Sequence, residues 1–168
     1  VLVIYPMLTP NRRAERQVDN LQAKLISIGV DPEVLDLSNE ENNGLILEGT
    51  GSLVLDRKNN VAYAMESPRT THDMFIEWCK KMDYTPVFFH AYDKENLPIY
   101  HTNVVMSVGD GFAVVCLDAI TDSEERKFVE TKLQEKGQEL ISITTEQVYD
   151  FCGNILQLKS TKNEPKIV

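Results

Sequence analysis

The sequence predicts an α/β fold built from a repeating strand–strand–helix–strand unit. Apolar periodicity switches several times between two and about 3.6 residues along the chain. Turn and cap residues stand at the switches. Hairpin starts recur at a fixed interval: Ser52, Asn103 and Asn154 stand 51 residues apart, and Val61 and Phe112 open second strands at the same spacing. A period of about 50 residues marks an array or a propeller, because no single unit can bury both faces of its hairpin and helix alone.

Val1–Tyr5 reads as a buried strand. Arg12 to Ile28 reads as one amphipathic helix, with Val18, Leu21, Leu25 and Ile28 on one face and Gly29 as its stop. Val34–Leu37 is a short strand. Leu45–Leu47 leads into a hairpin of Ser52–Leu55 and Val61–Met65, turning at Arg57-Lys58-Asn59-Asn60. Thr70 or Thr71 caps a helix carrying Met74, Phe75, Trp78, Cys79 and Met82, and Pro86–Phe89 returns as a strand. Asn103–Val108 and Phe112–Leu117 form a second hairpin around Gly109-Asp110-Gly111. Asp122 caps a helix from Ser123 to Lys136, and Leu140–Ile143 follows as a strand. A short helix, Glu146–Phe151, stops at Gly153, and Asn154–Leu158 with Lys166–Val168 opens a third hairpin.

These elements describe one incomplete domain over residues 1–168. A partial unit (1–47) and a terminal partial unit (151–168) flank two whole ones (48–98 and 99–150). The raw edges this leaves predict a piece of a longer protein.

The 168 residues carry 17 basic and 26 acidic side chains, a net charge of −9. A pI near 4.8 argues against a nucleic-acid or anionic-membrane surface, either of which needs a basic patch. Three cysteines without a close pair argue against a disulfide framework, and no CxxC or HExxH spacing suggests zinc. No apolar run approaches the length of a transmembrane helix. The opening Val1-Leu2-Val3-Ile4-Tyr5-Pro6 lacks Met and a basic lead, so it is read as neither a signal peptide nor a translation start. Together these features predict a cytoplasmic protein.

Equivalent corners of neighbouring units converge if the units surround an axis. Glu48, His101 and Cys152 occupy such corners. A carboxylate beside an imidazole is a general acid/base arrangement: it orients the ring and raises its basicity. Each residue also has a structural reading, Glu48 as a strand-end carboxylate and His101 as a polar residue entering a strand. His90 reads as a structural strand-end histidine and His72 as solvated. Cys79 and Cys116 read as core, inert because burial raises a thiol pKa. Cys152 ends a helix, where no dipole favours a thiolate, and reads mainly as packing.

Leu47-Glu48-Gly49-Thr50-Gly51-Ser52 and Ile99-Tyr100-His101-Thr102-Asn103-Val104 resemble motifs of the guanidino-group-modifying (pentein) superfamily. So do Tyr5-Pro6-Met7, Pro10-Asn11-Arg12-Arg13, Ser67-Pro68-Arg69 and Gly153-Asn154. That superfamily includes arginine deiminases, dimethylarginine hydrolases and amidinotransferases, and the nearest likeness is to its amidinotransferase-like or citrulline hydrolase branch. The resemblance implies an α/β propeller of five ββαβ modules. It also implies a Cys nucleophile that attacks the central carbon of a guanidinium or ureido group, with His as general acid/base. Carried over by motif, His101 is the catalytic histidine, Glu48 the acidic residue that orients it or binds substrate, and Asn103 and Asn154 substrate-binding residues. Nothing here matches the nucleophile, which the resemblance places beyond this segment, so the segment alone is expected to be inactive. No metal or organic cofactor is implied, and a homodimer is compatible.

Two departures bear on the substrate. Asn103 stands where many members have Asp, and Glu48-Gly49-Thr50-Gly51 lacks the Asp that often ends that motif. An uncharged ureido group needs donors and acceptors but no counter-charge, and Asn supplies both. A ureido substrate such as citrulline is therefore expected over arginine. Two other readings remain open: an amidinotransferase, in which an amine resolves the intermediate, and a non-catalytic ring-shaped binding module.

Overall fold

One strand shows how the molecule is organised. In Val61–Met65 all five residues are buried, but alternate side chains enter different cores, as the two-residue period of a strand requires. Ala62 and Ala64 join a cluster with Met74, Phe75, Trp78 and Cys79. Val61, Tyr63 and Met65 join a second cluster with Val115, Val129 and Leu133. A strand covered on both faces reads as a continuous apolar run.

The computed structural model describes residues 1–162 and 164–168. In chain order the elements are β1 (Leu2–Ile4), α1 (Pro10–Ala14), α2 (Val18–Ser27), β2 (Val34–Asp36), β3 (Val54–Asp56), β4 (Val61–Met65), α3 (His72–Met82), β5 (Thr85–Phe89) and α4 (Thr102–Val105). They continue with β6 (Met106–Val108), β7 (Phe112–Val115), α5 (Ser123–Glu135), β8 (Glu139–Ser142), α6 (Thr145–Tyr149), β9 (Gln157–Lys159) and β10 (Pro165–Ile167).

Two three-stranded sheets share one topology. β3 runs antiparallel to β4, which is parallel to β5 across the α3 crossover. β6, β7 and β8 repeat this with α5 as the crossover. Val61 and Phe112 open the middle strands and His72 and Ser123 open the helices, both at the 51-residue period. β1 pairs in parallel with β2, and β9 pairs antiparallel with β10. The fold is thus mixed α/β with small open sheets. α5 buries Val129 and Leu133 and packs against both β5 and β8, so one helix covers two successive sheets.

Several expectations need correction. The helix expected over 12–28 is two helices, and its apolar face is not buried: Leu21 and Ile28 are exposed. The break falls where Arg16 turns away to reach the Tyr5 carbonyl and both Glu41 oxygens. Thr71 is the α3 N-cap residue, but its hydroxyl serves the Ile46 backbone rather than the helix. Asp122 caps α5 as expected, accepting the Glu124 and Glu125 N–H groups at 2.9 Å. The first strand of each hairpin starts later than Ser52, Asn103 or Asn154, because a turn precedes it. Leu53 N–H donates to Gly49, Val104 N–H to His101 and Asn154 N–H to Phe151. At the middle corner that turn is α4.

Candidate active site

Glu48 emerges from a segment held on both sides. Leu47 N–H donates to the Pro6 carbonyl, and Glu48 N–H reaches Ser52 Oγ at 2.9 Å. Gly49 then turns the chain with φ +58°, a left-handed conformation suited to glycine. The loop Ser67–Thr70 ties this corner to the next: Ser52 Oγ donates to the Arg69 carbonyl and Ser67 Oγ to the Tyr100 carbonyl. Thr102 adds a third tie, donating to the Ser52 carbonyl at 2.7 Å and accepting the Met65 N–H at 3.0 Å.

These ties bring Glu48 and His101, 53 residues apart in sequence, within 3.0 Å of each other, His101 Nε2 to Glu48 Oε2. Both side chains are buried, His101 at 9% and Glu48 at 1% exposure. Glu48 Oε2 also takes Arg69 at 3.1 Å, and Oε1 takes the Leu8 N–H at 3.1 Å. Burial pushes the Glu48 pKa up, but the bonds from Leu8, His101 and Arg69 outweigh it and hold the group below the ordinary carboxylate value. For His101 burial dominates and lowers the pKa; Glu48 opposes this, while Arg69 and Arg12 reinforce it. At neutral pH the pair is therefore a carboxylate and a neutral imidazole. Glu48 is an acceptor, so Nε2 carries the proton and Nδ1 keeps its lone pair. A neutral imidazole oriented by a carboxylate can take a proton, and the carboxylate stabilises the imidazolium that results.

Arg69 and Leu8 are part of the site that residue spacing did not reveal. Arg69 is 31% exposed and stacks over Tyr100 at 5.6 Å, whose ring lies 4.9 Å from that of His101. The Leu8 loop is clamped by Glu41, which accepts the Met7 N–H and both arms of Arg16; Arg13 in turn donates to the Met7 and Leu8 carbonyls.

Asn103 and Asn154 lie elsewhere. Both line an open cavity of about 810 Å³ walled by β3, β6 and β9, together with Thr50. Glu48 and His101 are not among its wall residues, although their sequence neighbours Thr50 and Asn103 are. Cys152 packs half-buried against the larger core cluster, its Sγ 4.0 Å from the Asp150 carbonyl. Burial raises the thiols of Cys79, to about 12, and Cys116. His90 lies between two carboxylates, Nδ1 at 2.8 Å from Glu125 and Nε2 at 2.9 Å from Glu66. Among the described residues no cluster of three or more His, Cys, Asp or Glu could hold a metal ion, and no helix is long and apolar enough to cross a membrane.

No curated protein matches the sequence. Among solved structures the fold is similar to ArgZ, an arginine dihydrolase of the ornithine–ammonia cycle in cyanobacteria. The TM-score is 0.70 at 18% identity, covering 93% of this chain and 23% of that one. The N-terminal domain of ArgZ bound to product gives 0.68 at 18% identity, covering 92% and 52%. AgrE in complex with ornithine and NAD+ gives 0.70 at 19% identity, covering 95% and 23%. The chain thus spans about a quarter of full-length ArgZ and AgrE and about half of the ArgZ N-terminal domain. In sequence, the family of eukaryotic N,N-dimethylarginine dimethylhydrolases matches residues 1–168. The match runs the whole length, through both Glu48 and His101, and the chain belongs to the N,N-dimethylarginine dimethylhydrolase family.

Proposed function

We propose that this chain carries the general acid/base of a C–N hydrolase acting on a guanidino or ureido small molecule, with the nucleophilic cysteine outside the segment. The observation that carries the reading is the 3.0 Å contact of His101 with a buried, charge-satisfied Glu48. A binding ring needs no such pair. Family membership supports the reaction class, and the fold shared with ArgZ supports the architecture. On this reading residues 1–168 form one incomplete α/β-propeller domain, with units at 48–98 and 99–150 and partial units on either side. The common topology of the two three-stranded sheets supports it.

The chemistry follows from the charge states. Neutral His101 takes the proton of the cysteine thiol, and the thiolate so formed attacks the central carbon of the substrate to make the C–S bond. The C–N bond to the leaving group then breaks, and the departing nitrogen takes a proton from the His101 imidazolium. Neutral His101 next accepts a proton from water, whose oxygen attacks the covalent intermediate and releases the thiolate. Glu48 orients the ring and stabilises the imidazolium. Both its oxygens already accept bonds from Leu8, Arg69 and His101, so it is a positioning carboxylate rather than a free clamp for substrate nitrogens.

The cavity that Thr50, Asn103 and Asn154 line also carries Asp56 and Asp110 as well as Arg57, Lys58 and Lys159. The ureido reading therefore rests on Asn103, whose amide offers both a donor and an acceptor where many members of the superfamily have a carboxylate. In the complete enzyme His101→Ala is expected to lower kcat by about 10²–10⁴-fold, with the fold retained by circular dichroism. Unchanged turnover would end the assignment. Competing citrulline, arginine and dimethylarginine as substrates tests the ureido reading, and a clear preference for arginine overturns it. Release of the amidino group to an added amine, in place of water, would identify an amidinotransferase.

A further inference from the structure

Gly51 lies under the face of the His101 imidazole. A methyl group built on its Cα would stand 2.7 Å from Cε1, 2.7 Å from Nδ1 and 2.8 Å from Nε2 of that ring. Three ring atoms at nearly equal distance place the ring flat over the glycine, not edge-on. Carbon atoms do not approach that closely, so a side chain here displaces either the imidazole or the turn. The backbone does not demand glycine: Gly51 is absent from the positive-φ residues, in contrast with Gly49. Space alone demands it.

The turn has little room to yield. Gly51 N–H donates to the Glu48 carbonyl at 3.3 Å, and the Gly51 carbonyl accepts from Asn103 N–H at 3.1 Å. Thr102 Oγ1, the next side chain, is bonded to the Ser52 carbonyl. The two corners are therefore fixed to each other on both sides of the ring. The member of the contact left to yield is the imidazole, whose Nε2 reaches Glu48 and whose ring lies tilted against that of Tyr100, 4.9 Å between centroids.

We propose that Gly51 is a positioning residue for the acid/base: its missing side chain is the slot that lays His101 against Glu48 in one orientation. The proposal rests on the reading of His101 given above. It assigns Gly51 no contact with substrate. A methyl group in the slot pushes the ring from Glu48, which removes both the orientation and the carboxylate that stabilises the imidazolium, so the loss falls on kcat.

The experiment uses the complete enzyme. Gly51→Ala is expected to lower kcat by about 100-fold while KM stays within about threefold. In NMR titrations the His101 ring of that variant is expected to titrate closer to a free histidine, having lost both burial and Glu48. The double variant Gly51→Ala/His101→Ala is expected to be no slower than His101→Ala alone, because Gly51 acts only through the ring. A second measurement needs no Gly51 variant. In the parent enzyme the Gly51 Hα signals are expected upfield of those of other glycines, to move with the His101 titration, and to return on His101→Ala. Unshifted Hα signals, or a Gly51→Ala enzyme that keeps the parent kcat and His101 titration, overturn the proposal and leave the acid/base assignment standing. Full activity in His101→Ala overturns that assignment instead, and the Hα shift then still decides whether the slot exists.

Discussion

His90 and His101 both face carboxylates, yet their proton affinities move in opposite directions. Burial lowers the affinity of each. At His90 the bonds and charges of Glu125 and Glu66, one on each ring nitrogen, outweigh burial and raise the pKa. At His101 burial prevails. An NMR titration is expected to place His101 below and His90 above the ordinary value of about 6.5, and the reverse order would refute the charge states assigned to the site. The consequences for stability also differ in sign. The contribution of His90 is complete below about pH 6.5 and is lost as pH rises through its raised folded pKa. Glu48 and His101 both have lowered pKa values, so their contribution is present above their unfolded values and is lost as pH falls. His90→Gln is therefore expected to destabilise most in mild acid and least at alkaline pH, as urea melts at several pH values would show.

At the scale of elements, local chemistry was legible where it stayed local. Asp122 and the helix it caps follow from a side chain two and three residues from its partners. α4 did not announce itself: Thr102-Asn103-Val104-Val105 looks like strand, since β-branched residues favour it. The turn exists because Thr102 Oγ1 and Asn103 N–H find partners in the preceding corner. The Glu48–His101 pair could be anticipated because the 51-residue period places equivalent corners side by side. Arg69 and Leu8 could not, since no spacing relates a salt bridge 21 residues away or a backbone donor 40 residues away to Glu48. The motif Ser67-Pro68-Arg69 was the available signal. The clamp on the Leu8 loop carries its own prediction. Glu41, its side chain 9% exposed, is held below the ordinary carboxylate range; burial opposes this, but Arg16, Met7 and Arg13 outweigh it. Glu41→Gln is expected to speed hydrogen exchange at Leu8 by about tenfold, about 1.4 kcal/mol of opening, and to raise the Glu48 pKa. Unaltered exchange would mean that the loop holds itself.

Across the whole molecule, cohesion between the sheets depends on a few long-range polar ties set into apolar packing. Thr102 bonds both the Ser52 carbonyl and the Met65 N–H, and Gln138 reaches Asp56 across 82 residues at 2.9 Å. Replacing Thr102 by Val keeps the shape but leaves those two backbone groups buried without a partner. The expected cost is about 1–3 kcal/mol in urea or thermal melts. A neutral result would show that packing alone joins the units.

The same division into two clusters makes the protein optically lopsided. Its sole tryptophan, Trp78, is 1% exposed and belongs to the α3 cluster, while the cluster beneath α5 contains none. Tryptophan emission therefore reports on one half of the interior and not on the other. Should the α5 half loosen first on heating, the far-ultraviolet signal would fall while the indole still glowed in its native colour.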